Sequence, residues 1–161
     1  MLKELSLADR TRIFNIINES AIAYKGVIPS DMWKEPYMPQ EELDEELEAG
    51  VKFYGWEEEG RLFGVMGIQP RSDTALIRHA YVLTGHQRTG IGSRLLRHLI
   101  RLVGTEEVLV GTWAAATWAI NFYRKHGFAL TSREETIELL NKYWNISESQ
   151  IETSVVLRLN Y

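Results

Sequence analysis

"TGHQRTGIGSRLLRHLI" occupies residues 84–100 and passes from a glycine-broken loop into an arginine-rich amphipathic segment. On its N-terminal side "TALIRHAYVL" (74–83) is rich in β-formers and reads as a strand. On its C-terminal side Ile91, Leu95, Leu99 and Leu102 recur at helical spacing, which predicts a helix over Ile91–Val103 with these side chains on its buried face. A strand, a glycine loop and a helix in that order set unpaired backbone N–H groups and a positive helix end at the mouth of a sheet, which is an anion site. Gly90 and Gly92 let the main chain come close to a bulky phosphate, because neither carries a side chain to hold it away. A glycine pair alone is equally a tight turn. Here Arg88 lies in the loop, and Arg94, Arg97 and Arg101 follow at helical spacing, leaving one helix face cationic beside the turn.

Two nucleotide motifs are excluded. A P-loop needs GxxxxGK followed by Ser or Thr, and no lysine follows Gly90 or Gly92 here. A dinucleotide fold needs GxGxxG in an early parallel βαβ unit, whereas these glycines lie past mid-chain.

The composition bounds the remaining classes. A chain of 161 residues, 45% hydrophobic and 11% aromatic, fills one core, and the expectation is a single domain over 1–161. With no cysteine there is no disulfide framework, thiolate metal site or cysteine nucleophile, so the expectation is a cytoplasmic protein without a metal. No signal-like run opens the chain and no segment has the length of a membrane span, so no membrane partner is expected. The net charge of −4 argues against nucleic acid as a partner. The acidic runs "QEELDEELEAG" (40–50) and "WEEEG" (56–60) read as a solvated helix face and a turn.

The rest of the chain alternates. Ser6 with Asp9 resembles a capping box ahead of a helix carrying Ile13, Phe14, Ile16, Ile17 and Ala21. An aromatic, proline-bearing loop (25–39) precedes a second helix with Leu43 and Leu47 inward and Gly50 as its stop. "VKFYGWEEEG", "RLFGVMGIQP" and "TALIRHAYVL" read as an antiparallel meander. After the arginine-rich helix come a strand "EEVLVGTW", a helix closed by Gly127, a strand "FALTS", a helix capped by Ser132 and Glu135, and a final strand "QIETSVVLRL" (150–159).

"QRTGIG" (87–92) resembles the Q/R-x-x-G-x-G/A signature of the GCN5-related N-acetyltransferase (GNAT) superfamily, and "AINFYRKHGF" (119–128) is similar to that family's downstream helix and Gly-Phe turn. Both motifs stand in the family's order, and the succession of elements agrees over nearly the whole chain. The resemblance implies a mixed α/β fold, with a mostly antiparallel central sheet that contains one splayed parallel strand pair and is flanked by helices. It implies acetyl-CoA as co-substrate and an amine, small-molecule or protein-borne, as acceptor, in a monomer or homodimer; the acidic runs and the aromatic segment "AYKGVIPSDMWKEPY" (23–37) suit a cationic or aromatic amine and would equally serve as a packed lid. Carried over residue by residue, it makes Tyr81 and Val82 the strand segment that pairs with the pantetheine arm. Gln87, Arg88, Thr89, Gly90, Ile91, Gly92 and Ser93 become the pyrophosphate cradle, and Tyr123 becomes the acid that protonates the departing thiolate. At least one of Arg88, Arg94 and Arg97 is expected at the 3′-phosphate.

Two departures stand out. Ala116 occupies the position of the family's asparagine, seven residues before Tyr123, and Asn121 lies elsewhere on that helix. Leu76 and Arg78 occupy the usual positions of a general base, and neither side chain suits the task. Period-two alternation turns His79 to the face opposite Arg78, where it reads as an ordinary histidine; Glu152 on the last strand and Glu57 or Glu58 on an earlier one remain candidates. The expected function is direct acetyl transfer to an amine, and the alternative is a catalytically silent acyl-CoA-binding module.

Overall fold

A computed structural model describes residues 1–160. The strands are β1 (Leu2–Glu4), β2 (Lys52–Glu58), β3 (Arg61–Arg71), β4 (Thr74–Val82), β5 (Glu107–Trp113), β6 (Ala129–Leu130) and β7 (Ser154–Asn160). The helices are α1 (Arg10–Ser20), α2 (Gln40–Glu48), α3 (Ile91–Val103), α4 (Thr117–Lys125), α5 (Arg133–Tyr143) and α6 (Glu148–Glu152). The strands form one 7-stranded sheet in the order β1-β2-β3-β4-β5-β7-β6. Every neighbouring pair is antiparallel except β4 with β5, which is the expected mixed architecture. Among the described residues no helix is long and apolar enough to cross a membrane.

Local chemistry starts and stops the helices where the sequence places the signals. The Ser6–Asp9 capping box is formed in both directions ahead of α1, and Ser132 accepts from the Glu135 N–H at the start of α5. Gly50 and Gly127 follow α2 and α4 with φ of +92°, a conformation in which a Cβ is strained.

Helices cover both faces of the sheet. On one face Leu95, Leu96 and Leu99 of α3, with Tyr123 of α4, pack on Met66, Ile68, Ile77 and Val110. On the other, α1 and α2 bring Ile13, Ile17 and Leu43 onto Phe53 and Val65, and further along the sheet Leu140 of α5 and Ile151 of α6 cover Leu76, Leu109 and Val156. The start of α3 is pressed onto β3, since a Cβ at Gly64 would lie 2.7 Å from the Ile91 Cγ2.

Two irregularities in β4 shape the molecule. Gly67 pairs with Arg78 and Val65 with Tyr81, so Met66 alone faces both His79 and Ala80, and His79 adopts a φ of +55°. This is a β-bulge, and it bends the strand. The ladder between β4 and β5 runs only from Thr74↔Glu107 to Ile77↔Val110, although β4 continues to Val82 and β5 to Trp113. Beyond that point the parallel pair splays.

Several sequence expectations are corrected. Leu102 is 51% exposed, because the buried arc of α3 is centred nearer Leu99 and takes in Leu96, with Leu102 at its margin in the last turn. The final strand begins at Ser154, since Ser147 accepts from the Gln150 N–H and draws Glu148–Glu152 into α6. Glu152 therefore lies on a helix, not on a strand. β1 has no counterpart in the sequence reading, and the strand expected over "FALTS" contracts to Ala129–Leu130.

The bulge depends on close approach at Gly67, where a Cβ would stand 2.8 Å from the Arg78 carbonyl oxygen and 2.9 Å from Val51 Cγ1. Gly67→Ala should destabilise the fold by about 1–3 kcal/mol, the usual cost of overpacking, read as a lower urea midpoint at unchanged m-value.

Candidate active site

The loop after β4 is built to turn tightly and leave a helix end open. The Leu83 N–H donates to the Phe63 carbonyl at 2.9 Å, extending the sheet contact by one residue, and the His86 N–H returns to the Leu83 carbonyl at 2.9 Å. Gly85, Arg88 and Gly90 then take φ values of +91°, +67° and +86°. The Thr89 hydroxyl donates to the His86 carbonyl, and the Gln87 amide donates to the Val82 carbonyl at 3.5 Å. Gly90 is the N-cap of α3 and supplies no side chain to its first turn. A Cβ at Gly90 would meet nothing within 4 Å, so the space beside the helix end is free for an anion.

Gly92 differs from Gly90. A Cβ there would lie 3.3 Å from the Phe122 ring and 3.7 Å from Val82 Cγ2, so its missing side chain lets α4 seat against α3. Ile91 is buried against the sheet, and the Ser93 hydroxyl is 2.9 Å from His126 Nε2. Burial, followed by the charges of Arg97 and Lys125, holds the His126 imidazole below its ordinary value. Of the cationic face, Arg94 lies over the Trp56 ring at 4.9 Å, while Arg88 and Arg97 are exposed.

Where β4 and β5 splay, a cleft of about 610 Å³ passes between them, and Tyr81, Tyr123, Ile77, Val110 and Gly111 line it. Val82 packs into the α3 side of the core, and Tyr81 lies on the opposite side with α1 and α2. Of the expected site residues, Tyr81 and Tyr123 line this cleft, whereas Val82 and the loop Gln87 to Ser93 lie outside its lining. Tyr123 is 4% exposed, between the rings of Phe122 and Phe128. Burial, and next to it Tyr24, push its phenol well above the ordinary value.

Further lining groups come from the aromatic segment 23–37 and the acidic run 40–50, whose composition suits a cationic or aromatic amine. Tyr24 and Tyr37, from the loop after α1, stack at 6.0 Å, and the Trp113 indole donates to the Tyr37 hydroxyl at 2.8 Å. Burial, with Tyr37 adding to it and a hydrogen bond from Thr112 opposing, raises the Tyr24 phenol to about 12. Glu42, Glu45 and Glu46 of α2 form an outer wall, so part of the acidic run faces the cleft as well as solvent.

The general-base candidates separate clearly. Leu76 is fully buried, and Arg78 is committed to the Gln69 side chain at 2.9 Å, the Tyr143 carbonyl at 2.6 Å and the Trp144 ring at 5.3 Å. Glu57 is engaged by Arg12 at 2.6 Å, Glu58 accepts from the Trp56 indole at 3.0 Å, and Glu152 is exposed on α6. None of the three lines the cleft. His79 contradicts the alternation argument: with the bulge, it reaches Glu46 at 3.1 Å and stacks on Phe53, on the same side of the sheet as Arg78. Ala116 is fully buried in an apolar cluster with Ile28 and Trp113, and Asn121 is exposed.

A sequence model described as the Acetyltransferase (GNAT) family matches residues 12–128. The chain belongs to the GNAT acetyltransferase family. Among solved GNAT-like structures, the PaiA N-acetyltransferase of Thermoplasma acidophilum, in complex with coenzyme A, superposes with a TM-score of 0.76 at 18% identity, over 100% of this chain and 98% of that one. The ribosomal-protein-S18-alanine N-acetyltransferase of Escherichia coli superposes with a TM-score of 0.71 at 18% identity, covering 99% and 92%. The Salmonella typhimurium protein yncA, solved with acetyl-CoA, gives 0.66 at 20% identity, covering 99% and 92%. At these identities the likeness establishes the GNAT fold. Among curated proteins none matches the chain.

The buried phenols carry a pH signature. Tyr24, Tyr37, Tyr81 and Tyr123 are all raised, so the folded protein keeps protons that the unfolded chain releases near ~10, and stability falls as pH rises past that value. Alkaline spectrophotometric titration should show a set of phenols that ionise only as the fold is lost. Tyr123→Phe should remove one member of that set.

Proposed function

We propose that the protein is an acetyl-CoA-dependent N-acetyltransferase that passes the acetyl group directly to an amine. The observation that carries this reading is the ending of β4–β5 pairing at Ile77↔Val110 beside the uncapped start of α3. An extended thiol arm fits between two strands that no longer bond each other, and a pyrophosphate fits the open helix end at Gly90. PaiA and yncA, which hold coenzyme A and acetyl-CoA on the same fold, support the assignment of the cosubstrate. In this reading the enzyme works in the cytoplasm as a monomer or homodimer, and the absence of cysteine agrees with transfer that forms no thioester on the protein.

The residues divide the labour as follows. Gln87, Arg88, Thr89, Gly90, Ile91, Gly92 and Ser93 hold the pyrophosphate, mainly through main-chain N–H groups, and Arg88 or Arg97 meets the 3′-phosphate. Tyr81 and Val82 present backbone groups to the pantetheine arm, with the N–H near Val82 placed for the oxyanion. Bound acetyl-CoA supplies an activated thioester carbonyl. Tyr123, whose phenol stays neutral through the working range, donates its proton as the thiolate leaves. The amine enters from the side of the sheet that carries Tyr24, Tyr37 and the α2 glutamates, opposite α3.

Calorimetric titration should give a CoA affinity higher than that of dephospho-CoA, with the gap narrowing as salt is added. Arg88→Ala or Arg97→Ala should close part of it. Equal affinities would remove the arginines from the site. Tyr123→Phe should lower kcat about 10²-fold with little change in the acetyl-CoA KM. CoA binding without turnover against a panel of amines would instead favour a silent acyl-CoA-binding module.

A further inference from the structure

The acceptor amine is protonated at neutral pH, at an ordinary value near ~10.4, and must lose a proton before its nitrogen can attack. We propose that His79, presented by the β4 bulge and oriented by Glu46, takes that proton. This rests on the acetyl-transfer reading of the cleft and adds to it the group that reading lacks.

In a regular strand His79 would point to the α3 side, away from Arg78. Because Met66 faces both His79 and Ala80, and His79 has a φ of +55°, its ring turns instead to the α2 side and lies 6.2 Å from the Phe53 ring. A left-handed φ at a non-glycine residue is costly and persists where the surroundings over-determine it. Here they do, through Phe53 beneath the ring and Glu46 Oε1 at 3.1 Å from Nε2.

The pair is placed for chemistry. His79 and Glu46 both line the cleft that Tyr123 lines, on the side where the amine enters, and both side chains are 24% exposed. Facing the imidazole are Glu46 from α2 and, on its own strand, Arg78, whose Nε is 4.0 Å from Glu46 Oε2. Burial alone would raise the Glu46 carboxyl, but the hydrogen bond from His79, ahead of the charge of Arg78, outweighs it and holds the group below the ordinary carboxylate value. Glu46 thus stays ionised and fixes the Nε2–H tautomer, leaving Nδ1 with the lone pair that accepts a proton. His79 is the catalytic residue here, and Glu46 is a positioning residue.

The proton count closes. One ammonium proton passes to the His79 imidazole and from there to solvent. The freed lone pair bonds the acetyl carbon, the C–S bond breaks with its electrons on sulfur, and sulfur takes the Tyr123 phenol proton. A second proton, shed by the new amide nitrogen, restores the phenol. The products are the N-acetyl compound, free CoA thiol and one released proton.

Two small acceptors separate this role from a packing role. Ethylamine is an ammonium at pH 7, whereas hydroxylamine is already neutral there. With acetyl-CoA as donor, His79→Ala should lower kcat/KM for ethylamine about 10²-fold at pH 7 and leave hydroxylamine within a few-fold. The ethylamine loss should shrink toward alkaline pH, where the free amine accumulates. Glu46→Gln should give a smaller loss of the same kind. Nitrogen-15 NMR of the imidazole should report the Nε2–H tautomer in the parent protein and a mixture in Glu46→Gln. Calorimetry should give both variants the parent's CoA affinity. Equal losses for the two acceptors, a loss independent of pH, or a parent imidazole without the Nε2–H preference would each overturn the assignment of His79 while leaving acetyl transfer standing. A parent protein that binds CoA yet acetylates neither acceptor would overturn the acetyl-transfer reading, and this assignment with it.

Discussion

The fold holds one extra residue in β4, and the rest of the molecule is arranged around it. Met66 opposes His79 and Ala80 together, and the strand bends at the level where its ladder with β5 ends at Ile77↔Val110. A bulge raises local twist and re-aims side chains. The bulge and the end of the β4–β5 ladder stand at neighbouring residues, and beyond them the two strands no longer pair. The strain at His79 is held from several sides: Gly67 lets β3 approach the Arg78 carbonyl, Phe53 supports the ring and Glu46 bonds it. The opening also sits beside the start of α3, because Gly64 lets Ile91 settle on β3.

What the sequence made legible follows from period and punctuation. Helical spacing located α1 and α3, and the Ser6 and Ser132 caps, the second of which located α5, form as read, because such signals are local and survive any tertiary context. The glycine loop was legible for the same reason, since positive φ at Gly85 and Gly90 is a backbone demand that the residue type announces. β1 was invisible, because three residues offer no period. The strand over 150–159 was overextended because Gln150 and Ile151 are compatible with either state, and the Ser147 cap decides between them.

The glycine loop was legible as a candidate phosphate cradle, and the outer side of the cleft was legible only as an aromatic and acidic composition, for one physical reason. Phosphate recognition uses consecutive residues of a single loop, so its pattern lies along the chain. The outer side of the cleft is assembled from the loop after α1, from α2, and from β4 and β5, joined by contacts such as Trp113 to Tyr37 and His79 to Glu46. Those contacts span large sequence separations. The acidic run read as a solvated face because its composition is that of one; only docking of α2 beside the bulge turns Glu46 inward. His79 was sent to the wrong face by an alternation rule that a bulge suspends.

The electrostatics of the cleft follow from which groups burial can neutralise. Phenols respond to desolvation by keeping their protons, so Tyr24, Tyr37, Tyr81 and Tyr123 line the throat with hydroxyl dipoles and no charge. Glu46 meets the same desolvation but is held ionised by His79 and Arg78. Arg78, which burial pushes down, is in turn steadied by Glu46 and fixed to Gln69 and Tyr143. A cation with its donors committed in this way cannot accept a proton, although it stands where a base would be expected. It can hold Glu46 in place beside the next residue of the strand, and the bulge brings that residue's imidazole to the carboxylate. The turning of His79 toward Glu46 and the presence of the bulge are therefore two aspects of a single arrangement.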